Sequence, residues 1–184
     1  MKKALLFFIL SILAHMVMAT TYSVEKAQII DNFLKRIAKQ KKPSIFMKKK
    51  SFDQVTLNAY FNLIYLKKYA PEVKNIEFKL DKNNYVSGNL KMILRGEKYK
   101  AVPGFLKNVE IQFSGKIECQ NYRMRYSFDD IRINGTSFAP ELLDEAFGAA
   151  QSNIKVKRSI FDWFNLLPGI KKVTVDYKKI TFFY

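Results

Sequence analysis

The chain has 184 residues, 48% of them hydrophobic, enough for one domain with a real core. It carries 32 Lys and Arg against 16 Asp and Glu, one cysteine and one histidine. A lone cysteine excludes an intrachain disulfide, and with one histidine it excludes a His/Cys zinc site by count.

The first segment reads as a secretory signal peptide over residues 1–19. Lys2 and Lys3 precede an apolar run from Ala4 to Met18, and Val17 and Ala19 place small residues at the −3 and −1 positions. Cleavage after Ala19 removes two of the 32 basic residues and leaves 30 against 16, a net charge of +14. It also removes His15, the sole histidine. The expected location is exported, periplasmic or secreted from a bacterium, with residues 20–184 as a single domain. An exported basic protein meets phospholipid head groups, envelope polymers or the membrane surface rather than nucleic acid.

Residues 23–40 show helical spacing, with Ser23 as cap and Val24, Ala27, Ile30, Phe33, Leu34 and Ile37 recurring. A basic stretch follows: Lys35, Arg36, Lys39, Lys41, Lys42, Lys48, Lys49 and Lys50, with no acid between Asp31 and Asp53. These are the candidates for anionic head groups or a membrane surface, where each lysine contributes about 1 kcal/mol. Residues 44–48 suggest a short strand.

Ser51-Phe52-Asp53-Gln54 fits a capping box, predicting a helix from Ser51 to about Lys68 that Pro71 stops. Period two then takes over. Ile76, Phe78 and Leu80 alternate, residues 81–84 turn, and Val86, Leu90, Met92 and Leu94 alternate again. Val109 to Cys119 forms a long strand and Tyr122 to Phe128 its partner. Asp129-Asp130 shifts the alternation to Ile131 and Ile133, which predicts a bulge. Asn134-Gly135 reads as a turn. Pro140 opens a further helix. Ser159-x-x-Asp162 predicts a short apolar helix holding Trp163 and Phe164, candidates for membrane contact. A last hairpin closes the chain.

The expected fold class is α+β: a curved antiparallel sheet of about six strands, with amphipathic helices packed on one face. Leu57, Phe61, Phe78, Leu90, Met92, Phe113, Met124 and Phe128 are the candidates for an apolar groove between sheet and helix. Covered fully, that face is core; covered incompletely, it holds an acyl chain. No catalytic constellation emerges. The acid pairs Asp129–Asp130 and Asp144–Glu145 read as a bulge and as helix N-terminal charge, and Cys119 as a small buried hydrophobe. No enzyme activity, cofactor or metal is expected.

The stretches "SFDQVTLNAYF", "VKNIEFKLDKNNYVSGNL", "INGTSFAPELL" and "LPGIKKVTVDYKKITFFY" resemble exported bacterial envelope proteins that bind phospholipid in a tubular lipid-binding (TULIP-like) fold. The resemblance spans residues 51–184. It implies an apolar lipid cavity between helix and sheet and no catalysis. The alternative is a non-enzymatic structural or interaction module of the envelope with a solid core, binding a protein or anionic polymer through its basic block.

Overall fold

The structure is a computed structural model that describes residues 22–39, 46–93, 107–150 and 159–184. Residues 1–19, where a signal peptide is expected, and Lys41 and Lys42 of the basic stretch lie outside the described residues. The chain is α+β, built on a six-stranded antiparallel sheet and a second, three-stranded one.

Helix α1 (Val24–Ala38) starts where Ser23 Oγ accepts the Lys26 N–H at 3.4 Å. It buries Ala27, Ile30, Phe33 and Ile37, a stripe at helical spacing. Strand β1 (Lys49–Asp53) follows; of the short strand expected over 44–48, residues 46–48 are not in a strand and residues 44 and 45 lie outside the described residues. Ser51 is therefore not a helix cap. It is a strand residue whose hydroxyl pairs with Thr181 at 2.8 Å. Asp53 caps instead, accepting the Thr56 N–H at 2.6 Å. Burial works against its charge, but the bonds from Thr56 and nearby Lys26 hold its carboxyl below the usual range.

Helix α2 (Gln54–Tyr60) runs through a π turn (Phe61–Tyr65) into α3 (Leu66–Tyr69). The larger sheet then forms: β2 (Val73–Leu80), β3 (Tyr85–Ile93), β4 (Asn108–Gln120), β5 (Arg123–Ile133) and β6 (Thr136–Phe138), in that spatial order. Helix α4 (Pro140–Ala150) follows. The helix expected after Ser159 is absent. Ser159 and Asp162 do bond to each other, but as a turn, and the chain leaves it as β7 (Phe164–Asn165), pairing with Arg123 and Met124 on β5. Strands β8 (Lys172–Asp176) and β9 (Lys179–Phe183) join β1 in the smaller sheet, ordered β1-β9-β8.

The two hairpin turns meet each other. Asn84 donates its N–H to Val175 O at 3.1 Å and accepts the Val175 N–H on Oδ1 at 2.8 Å. Lys178 donates to Leu80 O at 3.0 Å. Asn84 and Lys178 both sit at positive φ, 61° and 53°. One hairpin thus lies in each sheet, β2-β3 in the larger and β8-β9 in the smaller, and the turns fasten one sheet to the other.

The dense part of the core lies between α1 and the smaller sheet. Phe33 packs against Phe52, Phe182 and Tyr184 with ring centroids 5.3, 5.8 and 5.3 Å away. Ile30, Ile37, Val173, Val175 and Ile180 complete it. No helix among the described residues is long and apolar enough to cross a membrane.

Strand β2 is an edge of the larger sheet, and α2 lies along it. Three amide side chains, each four residues on from the last, reach alternate strand residues. Gln54 Oε1 accepts the Leu80 N–H at 2.8 Å. Asn58 accepts the Phe78 N–H at 2.8 Å and donates to Phe78 O at 3.0 Å. Asn62 accepts the Ile76 N–H at 3.0 Å and donates to Ile76 O at 2.6 Å. Four helical residues rise about 6.0 Å and two strand residues about 6.6 Å, so the rows stay in register. The amides satisfy an edge that would otherwise pair with another chain.

Asn58 is 4% exposed, so its loss strands two backbone groups out of water. Asn58→Ala is expected to lower stability by about 2–6 kcal/mol, from two buried groups at about 1–3 kcal/mol each, read by urea denaturation. A change below about 0.5 kcal/mol would show that the ladder carries no weight.

Candidate apolar cavity

Between the larger sheet and the helices, bordered also by Val173, Ile180 and Phe182 of the smaller sheet, lies a cavity of about 740 Å³. The sheet supplies its floor. Phe78 and Leu80 on β2, Val86 on β3, and Ile111, Phe113 and Ile117 on β4 all line it. Their numbers share the even or odd parity of one strand face. On β5 the lining residues are Met124, Tyr126 and Phe128, then Ile131 and Ile133. This parity switch needs one extra residue, and the ladder slips there: Ser114 pairs with Asp130 but Gly115 with Phe128. The Asp129-Asp130 bulge turns both halves of β5 inward, as the alternation of the sequence predicts.

Two glycines make this floor possible. At Gly115 a Cβ would stand 2.0 Å from Ser127 O, against the bulged strand itself. At Gly88 it would stand 2.5 Å from the Phe113 ring. Gly88 and Phe113 are directly paired, so the ring lies across β3 toward Phe78, 6.2 Å centroid to centroid. The series continues from Phe61 to Phe78 (4.8 Å), and from Phe113 through Tyr126 (5.7 Å) to Phe128 (4.6 Å).

The helices supply the walls. Gln54, Asn58 and Asn62 occupy the helix row that bonds β2. Leu57 and Phe61 precede two of them by one position, about 100° around the axis, and line the cavity together with Tyr60 and Tyr65. The π turn widens the helix at this wall, a distortion frequent at functional sites. Ile30 and Leu34 of α1, Leu143 of α4 and Ile160, Leu166 and Ile170 of the later segment close other sides. Arg125 and Asn165 are the markedly polar lining residues.

The expected groove residues divide. Leu57, Phe61, Phe78, Phe113, Met124 and Phe128 come together around this space. Leu90 and Met92 share the inward face of β3 but sit opposite Ile111 and Val109, toward the far end of the strand, and do not line it. The inner-face residues Phe78, Phe113, Ile117, Tyr126 and Phe128 are only half-buried, unlike Val173 or Val175 in the smaller sheet. Tyr60, Tyr126 and Ile117 escaped the sequence reading, although each falls on the helical face or strand parity that marks its neighbours. The amide row Gln54, Asn58 and Asn62 was also missed; its only signal is polar residues repeating every four positions on an otherwise apolar helix.

The basic candidates lie elsewhere. Lys48, Lys49 and Lys50 are exposed, next to Phe46 (79% exposed) and Met47 (63% exposed). Lys35 pairs with Asp31 at 2.6 Å, Arg36 lies 5.9 Å over the Phe33 ring, and Lys39 is exposed at the end of α1. Trp163 stacks under the Arg125 guanidinium at 4.8 Å, while Phe164 is exposed on β7. No group of three potential metal ligands occurs among the described residues. Asp130 bonds Arg132 (2.9 Å) and Ser137 (3.0 Å), and Asp144 accepts the Ile160 N–H at 2.7 Å.

Comparison with known proteins brings no match: no protein-family model, no curated protein and no solved structure matches this chain.

Burial shapes the titration of the wall. It raises the Tyr60 phenol to about 12 and pushes Tyr126 up further, and it raises the Cys119 thiol. Tyr126 donates to Val86 O at 2.5 Å, which needs the protonated form. Both tyrosines hold their protons more tightly folded than unfolded. Their contribution is therefore intact below the ordinary value of 10.0; that of Tyr60 is lost as pH rises through about 12, and that of Tyr126 at higher pH. The melting temperature is expected to fall steeply over that window, and less steeply in Tyr60→Phe. A wild-type profile flat to pH 12 would contradict the burial of these phenols.

Proposed function

We propose that the chain is an exported envelope protein, TULIP-like in its resemblance, that binds or carries a lipid without catalysis. The acyl part lies in the cavity between sheet and helices, and exposed lysines meet anionic head groups or the membrane. The observation that carries this reading is the cavity itself: about 740 Å³ of space walled almost wholly by aliphatic and aromatic side chains. That volume falls within the range of ligand sites, about 300–1,000 Å³. An interaction module with a solid core would fill it. Phe46 and Met47 beside Lys48, Lys49 and Lys50 add a tip with both apolar and cationic character, suited to a bilayer interface.

Gently purified protein is expected to carry lipid detectable by native mass spectrometry. Added lipid at 100-fold above its Kd should stabilise the protein by about 2.7 kcal/mol. Ile117→Trp, which fills the cavity, should keep the fold by circular dichroism and lose that stabilisation. Absence of bound lipid together with no thermal shift would overturn the reading.

The surface part has its own test. Replacing Lys48, Lys49 and Lys50 with Gln is expected to weaken binding to anionic vesicles by about 100-fold, at about 1 kcal/mol per lysine, with binding to neutral vesicles unchanged. Unchanged sedimentation with anionic vesicles would remove these lysines from the account.

A further inference from the structure

Two of the large side chains that line the cavity also reach solvent: Leu167, 51% exposed, and Tyr65, 38% exposed. A residue shared between wall and surface marks a rim. Leu167 stands in the segment from Leu166 to Ile170, both ends of which line the cavity. Leu166 donates its N–H to Tyr122 O at 2.9 Å, and the Ile170 N–H closes a turn on Leu167 O at 2.9 Å. Gly169, at φ 89°, lies so close to α1 that a Cβ would stand 2.6 Å from Ile37 Cγ2. The rim at Leu167 is therefore held between the C-terminal turn of α1 and the β4–β5 turn.

The basic elements end at the same place. Lys171, next after Ile170, donates to Phe183 O at 2.7 Å, and Lys48 and Tyr184 exchange both backbone bonds at 2.8 and 2.9 Å. Lys49 and Lys172 flank Phe183 in the smaller sheet. The last turn of α1 carries Lys35 and Arg36, with Lys39 as its C-cap. Asp31 on α1 and Glu118 on β4 are each held by a cation, Lys35 and Arg125. The opposite end of the smaller sheet has no such excess: there Asp53 and Asp176 both pair with Lys179 across the strands. Exposed apolar side chains gather at the basic end as well, with Phe46 and Met47 just before Lys48, and Tyr122 and Phe164 near Leu167.

Cations draw such a surface to anionic head groups, and exposed apolar tips enter the interfacial layer. An anionic polymer would answer the cations but leave the apolar tips without a partner. We propose that this end faces an anionic bilayer, with Phe46, Met47 and Leu167 entering the interface, and that the acyl chain passes Leu167 on its way into the cavity. The inference rests on the lipid-binding reading above and adds to it an orientation and a route.

The chain, in a Cys119→Ala background, is labelled with an environment-sensitive dye at Met47→Cys, Leu167→Cys or Tyr177→Cys, each checked for its fold by circular dichroism. Tyr177 is exposed on the β8–β9 turn, at the opposite end of the smaller sheet. On addition of vesicles of phosphatidylglycerol and phosphatidylcholine, the dyes at Met47 and Leu167 are expected to shift to the blue and the dye at Tyr177 to stay unchanged. Met47→Asp and Leu167→Asp should each weaken binding to these vesicles about tenfold, the scale of one buried apolar side chain. At vesicle concentrations that saturate both variants, Leu167→Asp alone should slow transfer of a fluorescent phosphatidylglycerol into the protein. A shift at Tyr177 instead, or none at Met47 and Leu167, would overturn the docking end. Transfer as fast in Leu167→Asp as in the parent would overturn the route. Native mass spectrometry separates these failures from that of the parent reading. Lipid bound by a protein whose dyes stay silent overturns the docking end alone, whereas absence of bound lipid under every condition overturns the reading on which it rests.

Discussion

The row of amides from α2 to the edge of β2 decides where everything else sits. Gln54, Asn58 and Asn62 take the backbone groups of Leu80, Phe78 and Ile76, so the helix lies beside the strand as a continuation of the sheet. A helix held there cannot lie flat across the sheet face. Its apolar side, with Leu57, Tyr60 and Phe61, is turned over the near edge of the floor, where Phe61 meets Phe78 at 4.8 Å. Because buried amides left unpaired are costly, this arrangement tolerates little drift. Position along the edge is fixed by hydrogen bonds, and cavity width follows from that position.

The molecule divides its interior accordingly. Around α1 and the smaller sheet, Phe33, Phe52 and Phe182 interlock and the neighbouring aliphatic residues are buried. Over the larger sheet the side chains are as large but only half-buried, and space remains among them. The dense part supplies stability, which frees the larger sheet from having to be a filled core. The contact between hairpin turns, through Asn84 and Lys178, couples the two parts. A lipid-binding role fits this division, since an apolar site kept open must be stabilised from outside itself.

Much of the fold can be read from alternation alone. Period two over Ile76–Leu80, Val109–Cys119 and Tyr122–Phe128, and its shift at Asp129-Asp130, anticipates the strands, their inner face and the bulge. The helix of residues 23–40 is legible for the same reason: its apolar stripe and its cap agree. What failed is local and physical. Ser51 and Asp53 are both good caps, and pairing of Ser51 with Thr181, 130 residues away, decides between them. Ser159 and Asp162 make reciprocal bonds that a turn satisfies as well as a helix, and pairing with β5 draws Phe164 into a strand. The final hairpin gives no sequence sign that it joins β1 in a separate sheet. The cavity face was visible in the strand parity, but its extent was not, because Leu90 and Met92 carry the same signal as Phe113. Whether such a face is filled depends on where the helix is held, and three amides set that.

The most direct measurement is a crystal structure of protein purified gently, without detergent or organic solvent. The account predicts continuous elongated density within the cavity, running over Phe113 and Tyr126 and beneath Leu57 and Phe61, with α2 bonded along β2 by its amides. An interior closed by inward-turned side chains, with α2 lying across the sheet face, would contradict it.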